Sequence, residues 1–324
     1  MKCKICSNEK NNTPYVLREM MFGTKETFDY FQCSSCECIQ IKEVPQNLGD
    51  YYPSNYYSFS DTTHKIEKLN YFKKLQYEHL SGMKPSLLGA LVSYKYKSSF
   101  ADVYKWCKSL SMNNKNAKIL DIGSGGGELL KRLEILGFTD LTGSDPFIEK
   151  DVYLSDNLRL LKKHISELEG KYDIIMLHHC LEHIDNHAET LSQIYNLLAE
   201  NGKILIRIPV YSKPLFEKYG VDLVTLDPPR HLFIHSLKSI NYLLEKQGFE
   251  VLNFYYDANV FDIIASEQYQ RDIALFDKEK SYVISPKISI FSSREIKTFK
   301  KQIAKLNADG ESDTVALVMR KKCN

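Results

Sequence analysis

The sequence predicts an α/β protein: a seven-stranded, doubly wound, Rossmann-like sheet with a small metal-stapled module at its N-terminus. Three observations carry this expectation. From Lys118 onward, apolar strand-like runs alternate with helical patterns, the order of a doubly wound sheet. The first of those runs, Ile119-Leu120-Asp121-Ile122, meets a glycine-rich turn over Gly123–Gly127. A helical pattern follows, with Leu129, Leu130, Leu133 and Leu136 on one side. Two C-x-x-C pairs, Cys3/Cys6 and Cys33/Cys36, stand apart from the rest of the cysteines.

Taken in order, residues 1–44 hold too few apolar side chains for an independent core, so a metal would have to supply the folding energy. Residues 45–115 form a connector and a helical segment. The connector carries Pro45, Gly49, Pro53 and a cluster of Tyr51, Tyr52, Tyr56 and Tyr57. Leu69, Phe72, Leu75 and Leu80, then Val103, Trp106 and Leu110, have helical spacing. They predict two or three helices packed between the N-terminal module and the main domain. Residues 116–324 form that main domain. Its strands are expected at Lys118–Ile122, Asp140–Ser144, Asn157–Leu160, Tyr172–His178, Lys203–Pro209, Phe249–Tyr256 and Thr314–Arg320. Helices are expected near 187–198 and 236–246, the second ending at Gly248. The long gap before the last strand predicts an insertion over about 257–312, with helices near 263–276 and 294–306, placed to shape a substrate pocket.

The whole chain bounds the function. Its 324 residues carry a formal net charge of only +2, which argues against a nucleic-acid partner. The start of the chain has no apolar leader core, and no apolar run is long enough to span a membrane. Paired thiols at metal-ligand spacing suit a reducing cytoplasm better than a secreted disulfide framework.

The glycine spacing identifies the cofactor class. A dinucleotide fingerprint would place its third glycine where Glu128 stands. The pattern is D-x-G-x-G-x-G instead, and it resembles motif I of the class I S-adenosylmethionine (SAM) methyltransferases. Ribose hydroxyls are best held by a carboxylate. Asp145 ends the second strand, near the spacing of roughly 20 residues at which such an acid follows the first strand. The expected cofactor set is Asp121, Gly123, Ser124, Gly125, Gly127, Asp145 and Pro146, with Ile165 at the adenine and His178 lining the pocket. Cys180-Leu181-Glu182-His183 and Asn201-Gly202-Lys203 also resemble segments of that family.

Two C-x-x-C pairs can surround one tetrahedral ion, and Zn²⁺ is the default. Cys3, Cys6, Cys33 and Cys36 are the expected ligands of a structural zinc ribbon, with Cys38 a bystander. Four-cysteine modules of this type resemble those of methyltransferases in sugar and polysaccharide pathways. That resemblance implies a small-molecule or glycan acceptor, namely a hydroxyl or amine of a sugar, nucleotide sugar or glycan intermediate. An RNA acceptor gripped by the ribbon, a non-sugar small molecule and an inactive scaffold are the competing readings.

Removing a proton from the acceptor calls for a base of near-neutral pKa. His231 is the first candidate and His179 the second, with Glu182 and His183 alongside. Two roles are open to Arg230: holding a phosphate, or making a surface ion pair. The sequence carries no signal for oligomeric state.

Overall fold

The computed structural model describes residues 1–52, 70–95, 101–286 and 290–322. Tyr56 and Tyr57 of the tyrosine cluster lie outside the described residues. The chain opens with three antiparallel strands, β1 (Thr13–Arg18), β2 (Thr27–Gln32) and β3 (Ile39–Ile41). Three helices follow: α1 (Tyr71–Leu80), α2 (Leu87–Lys95) and α3 (Ala101–Leu110).

The alternating part then runs β4 (Lys118–Ile122), α4 (Glu128–Ile135), β5 (Asp140–Ser144), β6 (Val152–Tyr153), β7 (Leu158–Leu161), β8 (Tyr172–His178), α5 (His187–Leu197), β9 (Leu198–Pro209) and α6 (Lys213–Tyr219). It closes with β10 (Phe233–Ile234), α7 (Leu237–Lys246), β11 (Phe249–Tyr256), α8 (Val260–Tyr269), α9 (Ser293–Asp309) and β12 (Thr314–Lys321).

The large sheet has the order β11-β12-β9-β8-β4-β5-β7-β6. Its centre is parallel, while β12 runs antiparallel between β9 and β11. The chain winds outward from β4 through β5 and β7, then returns to β8 on the other side of β4. Ligands of open α/β sheets bind at that reversal, beyond the carboxyl ends of the strands. The sheet has eight strands rather than the seven expected. The addition is β6, two residues paired antiparallel with β7; a strand that short shows no alternation to read.

Alternate residues of the central strands point to opposite faces. Ile119, Ile174, Met176 and Leu205 pack with Leu130 and Leu133 of α4 and with Val103, Tyr104, Cys107 and Leu110 of α3. Leu120, Ile175, Leu177 and Ile206 pack with α5, α7 and the N-terminal module, including Ile5, Tyr30 and Phe31. The helical segment is therefore not sandwiched between module and domain, as its sequence suggested. A doubly wound sheet must be covered on both faces, and α3 covers the face opposite the module.

The N-terminal sheet is completed by the main domain. Its order is β1-β2-β3-β10, and β10 comes from the segment just before α7. Ser236 Oγ donates to the Cys36 carbonyl at 2.6 Å, and Tyr30 Oη donates to the His231 carbonyl at 2.9 Å. Arg230 is fully buried, bound to Asp227 on its own loop and to Glu19 of the module at 3.0 Å. Arg230 does make an ion pair, but a buried one rather than the surface pair expected, because the module packs over it.

Candidate active site

The glycine turn lies at the carboxyl end of β4, where the sheet order reverses. Gly123 and Gly127 both have φ of 73°, a left-handed conformation that favours glycine. A Cβ on Gly127 would sit 2.7 Å from Leu160, and one on Gly123 would sit 2.8 Å from the Cys180 sulfur. The turn is thus glycine-rich for conformation and for close approach together.

Asp145 faces this turn from the end of β5. Its Oδ2 accepts from Gly125 N at 2.9 Å and its Oδ1 from Phe147 N at 2.9 Å. Each carboxylate oxygen keeps a lone pair for a ligand hydroxyl. Pro146 lies between Asp145 and Phe147. Asp121 is buried, and burial together with the neighbouring Asp145 charge pushes its carboxyl up to about 8.

Ile165 opens a short 3-10 turn after β7 and is half-buried. His178 ends β8 with its ring 4.3 Å from Trp106. Burial, then the charges of Arg207 and His179, push it down to about 3, so it is neutral at pH 7. Ser124 Oγ and both His178 ring nitrogens are shielded from solvent without a hydrogen-bond partner. Native proteins rarely leave such atoms unmet. Unmet polar atoms, an open carboxylate and a turn that only glycine can form fit a bound nucleoside with an amino-acid tail.

Next to this cradle lies a cavity of about 380 Å³, lined in part by His179, His183, Asp227 and His231. The 3-10 turn Leu181–His183 after β8 supplies Glu182, which is 1% exposed. His179 Nδ1 lies 3.3 Å from Glu182 Oε1, and the Arg207 guanidinium contacts its Nε2. Arginine can only donate, so Nε2 accepts and Nδ1–H faces the carboxylate. Arg207 is itself fixed by Asp257 at 2.9 Å.

His231 Nδ1 lies 2.7 Å from the Thr225 carbonyl, and His183 Nδ1 lies 2.9 Å from the Arg230 carbonyl. A carbonyl only accepts, so both rings carry their proton on Nδ1 and keep the lone pair on Nε2. His231 Nε2 is 4.0 Å from Glu182 Oε1 and 3.9 Å from Asp227 Oδ2. Burial raises the Glu182 pKa, but the hydrogen bond from His179 and the charges of His183, His179 and His231 prevail and bring it to about 2.

The lining also includes apolar side chains, with the polar Asn259 and Asp262 among them. Met21 comes from the module; Phe261, Leu275, Phe276 and Val283 come from the insertion. Leu275 N and Phe276 N donate to the Met20 and Met21 carbonyls, joining the insertion to the module.

The sequence had placed His179, Glu182, His183 and His231 at this end of the sheet, and the structure gathers them. Arg207 was not foreseen. Its signal was a lone cation in the run Ile204-Leu205-Ile206-Arg207-Ile208, which a buried strand admits only with a partner. The Glu19–Arg230–Asp227 network carried no readable signal, since Glu19 is remote in sequence.

At the N-terminus the Cys3 and Cys36 sulfurs are 3.6 Å apart and the Cys6 and Cys33 sulfurs 3.5 Å apart. All four lie within 4.8 Å of one another. A tetrahedral ion with bonds of about 2.3 Å sets sulfurs about 3.8 Å apart. Gln40 Nε2 donates to Cys3 Sγ at 3.1 Å and Asn8 Nδ2 to Cys33 Sγ at 3.7 Å, the outer-shell donors a thiolate site uses. Cys38 points away, toward the Ile39 carbonyl.

A glycine cradle facing a carboxylate at the reversal point of a doubly wound sheet is where such folds hold a nucleotide-type ligand. Residues 98–253 match a family model described as a methyltransferase domain. Those residues carry a methyltransferase domain. Among solved structures it is similar to a SAM-dependent methyltransferase from Archaeoglobus fulgidus, at 20% identity over 72% of this chain and 99% of that one, TM-score 0.43. It is also similar to phosphoethanolamine N-methyltransferase 2 from Haemonchus contortus, solved with SAM, at 17% identity over 76% and 60%, TM-score 0.40. A third is the cyclopropane synthase MmaA2 from Mycobacterium tuberculosis, at 15% identity over 78% and 99%, TM-score 0.42. Likenesses this distant fix neither acceptor nor mechanism. No curated protein matches the sequence. Among the described residues no helix is long and apolar enough to cross a membrane.

Proposed function

We propose that the enzyme methylates a hydroxyl or amine of a sugar, nucleotide sugar or glycan intermediate. The observation that carries this reading is the cavity of mixed lining beside the cofactor cradle. Part of its lining offers acceptors: His231 Nε2 and the Asp227 carboxylate. Another part offers apolar side chains, those of Phe261, Leu275 and Phe276. A sugar presents hydroxyl donors along its edge and C–H groups on its face, and a cavity of 380 Å³ holds a ligand of that size.

SAM supplies an electrophilic methyl group on a sulfonium. The chain supplies position and proton management. Asp145 would hold the ribose diol, Ile165 would cover the adenine, and the Gly123–Gly127 turn would admit the methionine portion near Asp121, Ser124 and His178. His231 is the proposed base: its Nε2 lone pair is open and Thr225 fixes its tautomer. His179, whose lone pair meets Arg207, orients Glu182 instead. Zn²⁺ held by Cys3, Cys6, Cys33 and Cys36 is proposed as a structural ion, and thiolate ligands suit a reducing compartment such as the cytoplasm. The proposed units are 1–44, 45–115 and 116–324.

The apolar lining also suits a small non-sugar acceptor, and the same assay separates the two. Labelled methyl transfer from SAM is measured against nucleotide sugars, free amino and hydroxy sugars, and phenolic or carboxylic small molecules. Transfer to a sugar, with His231→Ala binding SAM but turning over about 10²–10⁴-fold more slowly, is the expected result. Transfer only to non-sugar compounds rejects the sugar acceptor. Undiminished turnover in His231→Ala removes it as the base.

A further inference from the structure

We infer that Glu182, His183 and His231 form a binding site for a divalent transition-metal cation, separate from the cysteine site and open to the acceptor cavity. The inference rests on reading this cavity as the acceptor site. One ligand atom from each residue lies within 4.8 Å of the others. A closure of about one ångström brings them to the spacing of roughly 3–3.5 Å that ligands on bonds of about 2.1 Å adopt.

The hydrogen bonding around the cluster is that of a ligand set. Both imidazoles carry their protons on Nδ1 and donate them to main-chain carbonyls, of Arg230 and Thr225. Metal-ligating histidines are oriented in this way, with the second nitrogen free. Glu182 is 1% exposed, and its Oε2 has no hydrogen-bond partner at all. A buried carboxylate oxygen without a donor is costly. Nothing facing it on the described elements supplies one. His179 and His231 stand on the Oε1 side, Arg207 is engaged by Asp257 and His179, and Arg230 is closed off by Asp227 and Glu19. A cation among the three groups would take one Glu182 oxygen and both Nε2 lone pairs together. Two imidazoles and one carboxylate leave coordination positions free toward the cavity, where an acceptor oxygen or nitrogen can enter.

With the ion bound, His231 holds the metal; its role as a free base belongs to the metal-free site. Either role makes His231→Ala inactive, so the test uses metal binding. Mn²⁺ alone is titrated into the full chain carrying zinc in its cysteine site, and followed by electron paramagnetic resonance. A hard ion of this kind avoids thiolates. The expected result is one Mn²⁺ per chain with couplings to two imidazole nitrogens, falling to one coupling in His183→Ala. Glu182→Gln, which keeps the shape of the side chain, should weaken binding at least tenfold. Metal analysis after zinc loading should find two ions in the wild type and one in His183→Ala.

Failure to bind either Mn²⁺ or a second zinc overturns the inference, as does binding that neither variant changes. Such a failure leaves the proposed acceptor and base standing where labelled methyl transfer to a sugar persists. Loss of transfer to every sugar with the ion still bound rejects the acceptor class and not the metal site.

Discussion

At the scale of single residues, the cofactor cradle holds groups in costly states. Asp121 is buried beside the Asp145 charge, and its pKa of about 8 lies above the ordinary carboxylate value. The folded state therefore binds a proton that the unfolded state has lost. The stabilisation linked to Asp121 is complete below the unfolded pKa near 3.8 and is lost as pH rises through about 8. Asp121→Asn, which needs no proton, should gain thermal stability relative to wild type as pH rises from about 4 to 8. A difference in melting temperature that stays flat across that range would contradict this. His178 works in the opposite direction: its pKa of about 3 makes the fold lose stability as pH falls below 6.5. The glycine turn and Asp145 were legible in sequence because each meets a demand of local geometry. The orphan oxygen of Glu182 was not, because lack of a partner is a property of packing.

At the scale of elements, the N-terminal module and the segment 224–235 form one structure. β3 pairs with β10, Tyr30 holds the His231 carbonyl, and Arg230 joins Glu19 to Asp227 in full burial. Removing one member of a buried charged group costs about 3–5 kcal/mol, because its partners stay buried and unpaired. Arg230→Met should destabilise by that order in chemical denaturation, against a near-neutral result if the ion pair were a surface ornament. If His231 is the base proposed above, the same coupling would give the module a part in catalysis. Chelating the zinc, or Cys33→Ser, should lower turnover sharply by releasing His231. SAM binding should persist in calorimetry, since residues 118–178 build the cradle. Equal loss of both would mean general unfolding, and loss of neither would mean that the ribbon is a passive appendage. The cysteine spacing was readable, but β10 was not, since two residues make no pattern.

At the scale of the whole molecule, the alternation of strands and helices from Lys118 gave the sheet and its point of reversal. β8 and β11 have the bounds read from sequence, because continuous or alternating apolar runs leave little freedom. The side of the sheet on which α3 lies was not readable, since an apolar stripe fits either open face. The insertion was legible as a gap in the strand order, and the structure puts Phe261, Leu275, Phe276 and Val283 from it on the cavity wall. Everything proposed for that cavity depends on a SAM molecule seated against Asp145. The direct measurement is a calorimetric titration of SAM into the wild-type chain and into Asp145→Ala. Saturable binding of one SAM per chain, lost or weakened at least tenfold in the variant, is the predicted result. No binding to the wild type, or equal binding to both, would contradict it.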